Sequence, residues 1–85
     1  MIIKQKSLIL HNDATSKISS KTGEKIYLLS VRDPLDDEIS TIYSYEKGFD
    51  GMKAKTEIVV DLQLVSIIDD GKTEIYLRTV EKGNA

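Results

Sequence analysis

The sequence predicts an all-β chain whose strands close into a five-stranded Greek-key barrel. Three observations predict it. Apolar residues recur with period two almost throughout, the period of a half-buried strand. The alternating segments are separated by turn chemistry rich in Gly, Asp and Pro. Ile, Leu and Val together number 24 of 85 residues, enough to fill one interior and too many for a disordered chain.

The first strand is Ile2–Leu10, with Ile18 continuing it after a bend. The second covers residues 24–32 (EKIYLLSVR) and is rich in Leu, β-branched and aromatic side chains. Lys21-Thr22-Gly23-Glu24 turns the chain into it, and Pro34, which cannot donate to a ladder, stops it. The third covers residues 38–45 (EISTIYSY), with Ile39, Thr41, Tyr43 and Tyr45 on one face and Ser40, Ile42 and Ser44 on the other. Tyr43 shares a face with Ile39 and is therefore assigned to the core. Residues 46–56 (EKGFDGMKAKT) alternate little and read as a long loop or a short helix. In residues 57–64, Ile58, Val60, Leu62 and Leu64 oppose Glu57, Val59, Asp61 and Gln63. A helix would scatter these apolar positions round its circumference, so this is the fourth strand. Asp69-Asp70-Gly71-Lys72 is a hairpin signal. The fifth strand, residues 73–80, sets Ile75, Leu77 and Thr79 against Tyr76, Arg78 and Val80. Five strands, a bent first strand and a long connection between the third and fourth match the OB-fold. A five-stranded SH3-like barrel is the alternative.

The 9.5 kDa mass allows one domain, here residues 1–82, with 83–85 as a frayed tail. With no Cys there is no disulfide, thiolate metal site or cysteine nucleophile, and a cytoplasmic setting is expected. His11 is the only histidine, which removes multi-histidine metal sites and histidine-pair catalysis. Apolar runs are too short to span a membrane. No phosphate loop, nucleophile elbow or dinucleotide fingerprint occurs, so neither an enzyme nor a cofactor is expected. The acidic loop Asp33, Asp36, Asp37 and Glu38 lacks the spacing of a calcium loop and reads as a solvated turn. A domain this small buries only about 60% of its unfolded surface. Val59, Val65 and Ile67 are therefore candidates for a homodimer interface.

The net charge is -2, but it is unevenly spread. Residues 1–32 carry six bases and two acids, a net of +4, and residues 33–85 carry six bases and twelve acids, a net of -6. Such a split can build a basic face on an acidic protein. Lys17, Lys21 and Lys25 flank a turn, Tyr27 follows on a strand, and Arg32 ends it. Cations for phosphates and a ring for bases are the two parts of sequence-tolerant single-strand binding. Arg78, on the polar face beside Tyr76, is the best basic candidate outside the first half. The runner-up function is a protein–protein module that presents a strand edge or the acidic half.

The stretch at residues 20–31 (SKTGEKIYLLSV) and the late Tyr76-Leu77-Arg78-Thr79-Val80 strand resemble small OB-fold single-stranded DNA-binding proteins of the filamentous-phage gene V, or helix-destabilising, type and their relatives on mobile elements. The resemblance implies a cytoplasmic homodimer that coats single-stranded DNA, with Lys21 and Tyr27 contacting the strand and Arg78 supplying the basic residue of the last strand. RNA remains an alternative ligand. The chain departs from that pattern in its acidic balance and in the tip Asp69-Asp70-Gly71, which lacks the aromatic expected there.

Overall fold

The computed structural model describes residues 2–20 and 22–80, apart from the side chains of Ile67 and Asp69. Lys21 and the tail at 83–85 lie outside the described residues. The strands are β1 (Ile2–Leu10), β2 (Thr15–Ile18), β3 (Lys25–Arg32), β4 (Ile39–Ser44), β5 (Glu57–Asp69) and β6 (Lys72–Thr79), with a 3-10 turn at Lys47–Phe49. They follow the order β1-β5-β6-β4-β3-β2, and β1 also pairs with β3. That last pairing closes a barrel of β1, β3, β4, β6 and β5, and leaves β2 as an extra strand on β3. All pairings are antiparallel except β4 with β6, which is parallel. This is the OB arrangement. The expected continuation of the first strand to Ile18 is β2.

Closing a small barrel needs sharp bends. β1 bends at a bulge between Ile3 and Lys6, where Gln5 takes a positive φ of 52°. Its backbone N–H leaves the ladder and donates to Asp61 Oδ1 at 2.8 Å. At the β5–β6 tip, Asp70 and Gly71 both have positive φ, 50° and 75°, the geometry of a type I′ turn.

The interior takes alternate residues from four strands: Leu8 and Leu10 from β1, Leu29 and Val31 from β3, Ile42 from β4, and Ile58, Val60 and Leu62 from β5. The connection between β4 and β5 adds Phe49, which is 5% exposed. It is held on the end of β1 and the link to β2 by Lys55 N–H to Leu10 O (2.7 Å), Ala14 N–H to Met52 O (2.8 Å) and Ala54 N–H to Asp13 Oδ1 (2.8 Å). Two polar residues are also inside. The Thr79 hydroxyl donates to Ser44 Oγ at 2.6 Å, and the Glu46 N–H donates to the same oxygen at 3.1 Å, so the buried hydroxyls are satisfied.

The acidic loop behaves as turn chemistry. Asp33 Oδ1 accepts from Leu35 N–H, Asp36 Oδ1 from Glu38 N–H, and Asp37 pairs with Arg32. Lys6 Nζ bonds to Asp33. That hydrogen bond, then the one from Leu35 N–H, holds the Asp33 carboxyl below its ordinary value. Its contribution to stability is present at neutral pH and is lost as pH falls through the depressed value.

Candidate nucleic-acid interface

On β3 the faces are opposite to those the stacking site requires. Tyr27, Leu29 and Val31 point inward, at 4%, 0% and 2% exposure. Ile26, Leu28 and Ser30 face outward and are half-buried. Tyr27 is therefore a core residue, and its ring offers no platform for a base. The cause is register: Tyr27 pairs with Ser44, so its large side chain fills the space the serine leaves, and Leu29 pairs with Ile42.

The cations at Lys25 and Arg32 are held by nearby carboxylates. Lys25 Nζ lies 5.5 Å from the Tyr27 ring centroid and 3.4 Å from Asp50 Oδ1. Arg32 Nη1 bonds to Asp37 Oδ1 at 2.7 Å. Both cations are answered locally, and neither lines the groove described below.

On β4 the tyrosine and serine faces are exchanged relative to ordinary burial. Ser44 and Ile42 point inward and are 1% exposed, whereas Tyr43 lies on the outer face. Tyr43 is thus not the core residue that its shared face with Ile39 predicts; Ile39 itself is 53% exposed. The inward Ser44 is stable because Thr79 faces it.

The outer face gathers what the separate strands carry. Thr15, Leu28, Tyr43, Arg78 and Gln63 are successive cross-strand partners over β2, β3, β4, β6 and β5. Beside this row lies an open groove of about 200 Å³ lined by Lys17, Ile26, Tyr43, Tyr45, Glu74, Tyr76 and Arg78. The Tyr43 and Tyr76 rings meet edge to face, with centroids 5.1 Å apart and planes at 78°. Each ring thereby steadies the other while staying half-exposed. Arg78 Nη2 donates a long 3.5 Å bond to Gln63 Oε1, and its buried Nε has no partner among the described residues. Its guanidinium thus keeps spare donors on a face with aromatic walls.

Of the six residues expected to bind, the structure brings Lys17 and Arg78 together; Tyr27, Lys25 and Arg32 lie outside the groove, and Lys21 is not described. Tyr43, Tyr45, Tyr76, Ile26 and Glu74 complete it. A signal for them was present in the alternation 74, 76, 78 and in the pair 43, 45, each set falling on one strand face. Among the described residues no cluster of three or more His, Cys, Asp or Glu could hold a metal ion, and no helix is long and apolar enough to cross a membrane. No protein-family model, curated protein or solved structure matches the chain.

Proposed function

We propose that the chain binds single-stranded nucleic acid, DNA in the first instance, across the outer face of β3, β4 and β6. One observation carries this reading: β4 and β6 turn Tyr43, Tyr76 and Arg78 outward while β4 turns Ser44 inward. Burying the tyrosine and exposing the serine would serve stability better, and such departures from the ordinary pattern mark functional surfaces. The groove supplies rings for bases, an apolar floor at Ile26, and cations at Lys17 and Arg78. These are the components attributed to the lysine turn and Tyr27 in the sequence, moved to the neighbouring strands. The face is also where OB barrels hold oligonucleotides, in keeping with the gene V type of activity.

Fluorescence anisotropy with labelled oligo-dT at several salt concentrations tests the reading. With two phosphates neutralised, log K should fall against log salt with a slope of about -1.4. Binding that ignores salt, or no binding at low salt, overturns it and returns the acidic half to consideration as a protein-binding surface.

A second copy is the partner that suits the other face of the β5–β6 arm. Beyond Leu62 and Thr79, where the barrel ends, the inner face of this hairpin continues with Leu64, Ile75 and Ile68, at 52%, 64% and 78% exposure. A two-stranded arm with an uncovered apolar face is only marginally stable alone. Identical arms can cover each other about a two-fold axis. Of the three residues first expected at such an interface, Val59 is 59% exposed, Val65 is half-buried, and the Ile67 side chain is not described. Light scattering should report twice the 9.5 kDa chain mass, and Ile75→Asp should return the chain to a single copy. A wild-type mass of one chain at micromolar concentration removes this part of the proposal.

A further inference from the structure

Tyr76 stands between two opposite charges on the same strand face. Glu74 and Arg78 lie two residues to either side of it on β6, so all three share the outer face, and all three line the groove. The charges are about 13 Å apart at the backbone, and both side chains are long enough to lean over the ring between them. Yet they do not pair. Among the described residues neither the Glu74 carboxylate nor the Arg78 guanidinium has an ion-pair partner. Lys17, the other cation of the groove, does not pair with Glu74 either.

A carboxylate inside a nucleic-acid groove repels phosphate, so as a contact to the backbone Glu74 works against binding. As a contact to a base edge it works for binding. A base stacked on Tyr76 would present one edge to an acceptor-only group and another to a donor-only group. The four bases differ in how well they meet that demand. Guanine carries two adjacent donors, N1–H and N2–H2, which match the two oxygens of a carboxylate. It also carries two adjacent acceptors, O6 and N7, which match the fork of a guanidinium. Adenine offers one amino group between two ring acceptors, and cytosine one amino group beside the N3 acceptor. Thymine offers a single N–H between two carbonyl oxygens, which a carboxylate repels.

Resting on the nucleic-acid reading above, we infer that Glu74 and Arg78 flank Tyr76 as a base-edge reader that selects guanine. The face is then not indifferent to sequence: a strand is held by its backbone and by stacking generally, and one position is read.

The test is anisotropy with labelled short oligo-dT in which one central position is dT, dG, dA, dC, inosine or 7-deazaguanine. The dG probe should bind about five-fold or more tighter than the dT probe, the discrimination expected of one good bidentate contact. Inosine, without the N2 amine, should lose part of the gain at Glu74. The 7-deaza probe, without the N7 acceptor, should lose part of the gain at Arg78. Glu74→Gln should abolish most of the dG preference and raise affinity for plain oligo-dT, because a repelling charge is gone. Glu74 is exposed, so the variant should melt with the wild type. If Glu74 serves only to keep the arm soluble, the preference is absent or survives Glu74→Gln, and either result overturns the inference. A chain that binds neither probe defeats the underlying reading itself, and is told apart by the plain oligo-dT arm.

Discussion

Tyr27→Ala should destabilise the barrel by about 3–5 kcal/mol, the usual cost of emptying a buried aromatic site. At about 4–8 °C per kcal/mol for a domain of this size, the thermal midpoint should drop by roughly 12 °C or more. The ring is 4% exposed, lies opposite Ser44 across the β3–β4 ladder and has Lys25 over it. Ser44 is too small to fill the space, so the cavity would persist. Tyr27→Phe should cost far less, because no hydrogen bond holds the hydroxyl among the described residues, and should leave oligonucleotide affinity unchanged. Circular dichroism melts check the first expectation and anisotropy the second. A Tyr27→Phe protein that melts normally but binds weakly would restore Tyr27 to the interface.

Tyr43→Ala should show the converse pattern. One stacked base lost is worth about 1–3 kcal/mol, or roughly 5- to 150-fold in affinity. The stability cost should be smaller than at Tyr27. Tyr43 is half-exposed, and the contact it surrenders is the edge-to-face pair with Tyr76, worth about 0.5–1.5 kcal/mol. Because that pair is shared, Tyr43→Ala and Tyr76→Ala should be non-additive in binding. Measuring melts and oligo-dT titrations on both single variants and the double variant separates packing from stacking. A Tyr43→Ala protein with wild-type affinity at low salt would remove the aromatic wall from the interface.

The strands were legible because period-two alternation is a local property. Ile58, Val60 and Leu62 face inward and Tyr76 and Arg78 face outward as the alternation requires, and Asp70-Gly71 makes the expected tight turn. Even the bend that carries the first strand to Ile18 was readable. Which face of a strand points inward is not local where both faces are apolar. On β3, Ile26 and Leu28 compete with Tyr27, Leu29 and Val31. The choice is made by long-range partners: Ser44 and Ile42 across the ladder, and Phe49 from the following connection. On β4 the more hydrophobic residues mark the outer face, so a burial argument applied to Ile39 and Tyr43 points the wrong way. What holds the serine inside is Thr79, 35 residues later. The cations failed for a related reason. Lys25 and Arg32 look free in sequence, but Asp50 and Asp37 reach them in space. Arg78 stays unclaimed by any carboxylate because its ladder neighbours are Tyr43 and Gln63.

A single strand is proposed to lie on the outer face built by Tyr43, Tyr45, Tyr76 and Arg78. Amide chemical-shift mapping with a short oligo-dT tests it most directly. Shifts should concentrate at Lys17, Ile26, Leu28, Tyr43, Tyr45, Tyr76 and Arg78, with the acidic turn at Asp33, Asp36 and Glu38 unmoved. Perturbations centred on that turn or on the inner face of the β5–β6 arm, with the tyrosine row silent, would contradict it.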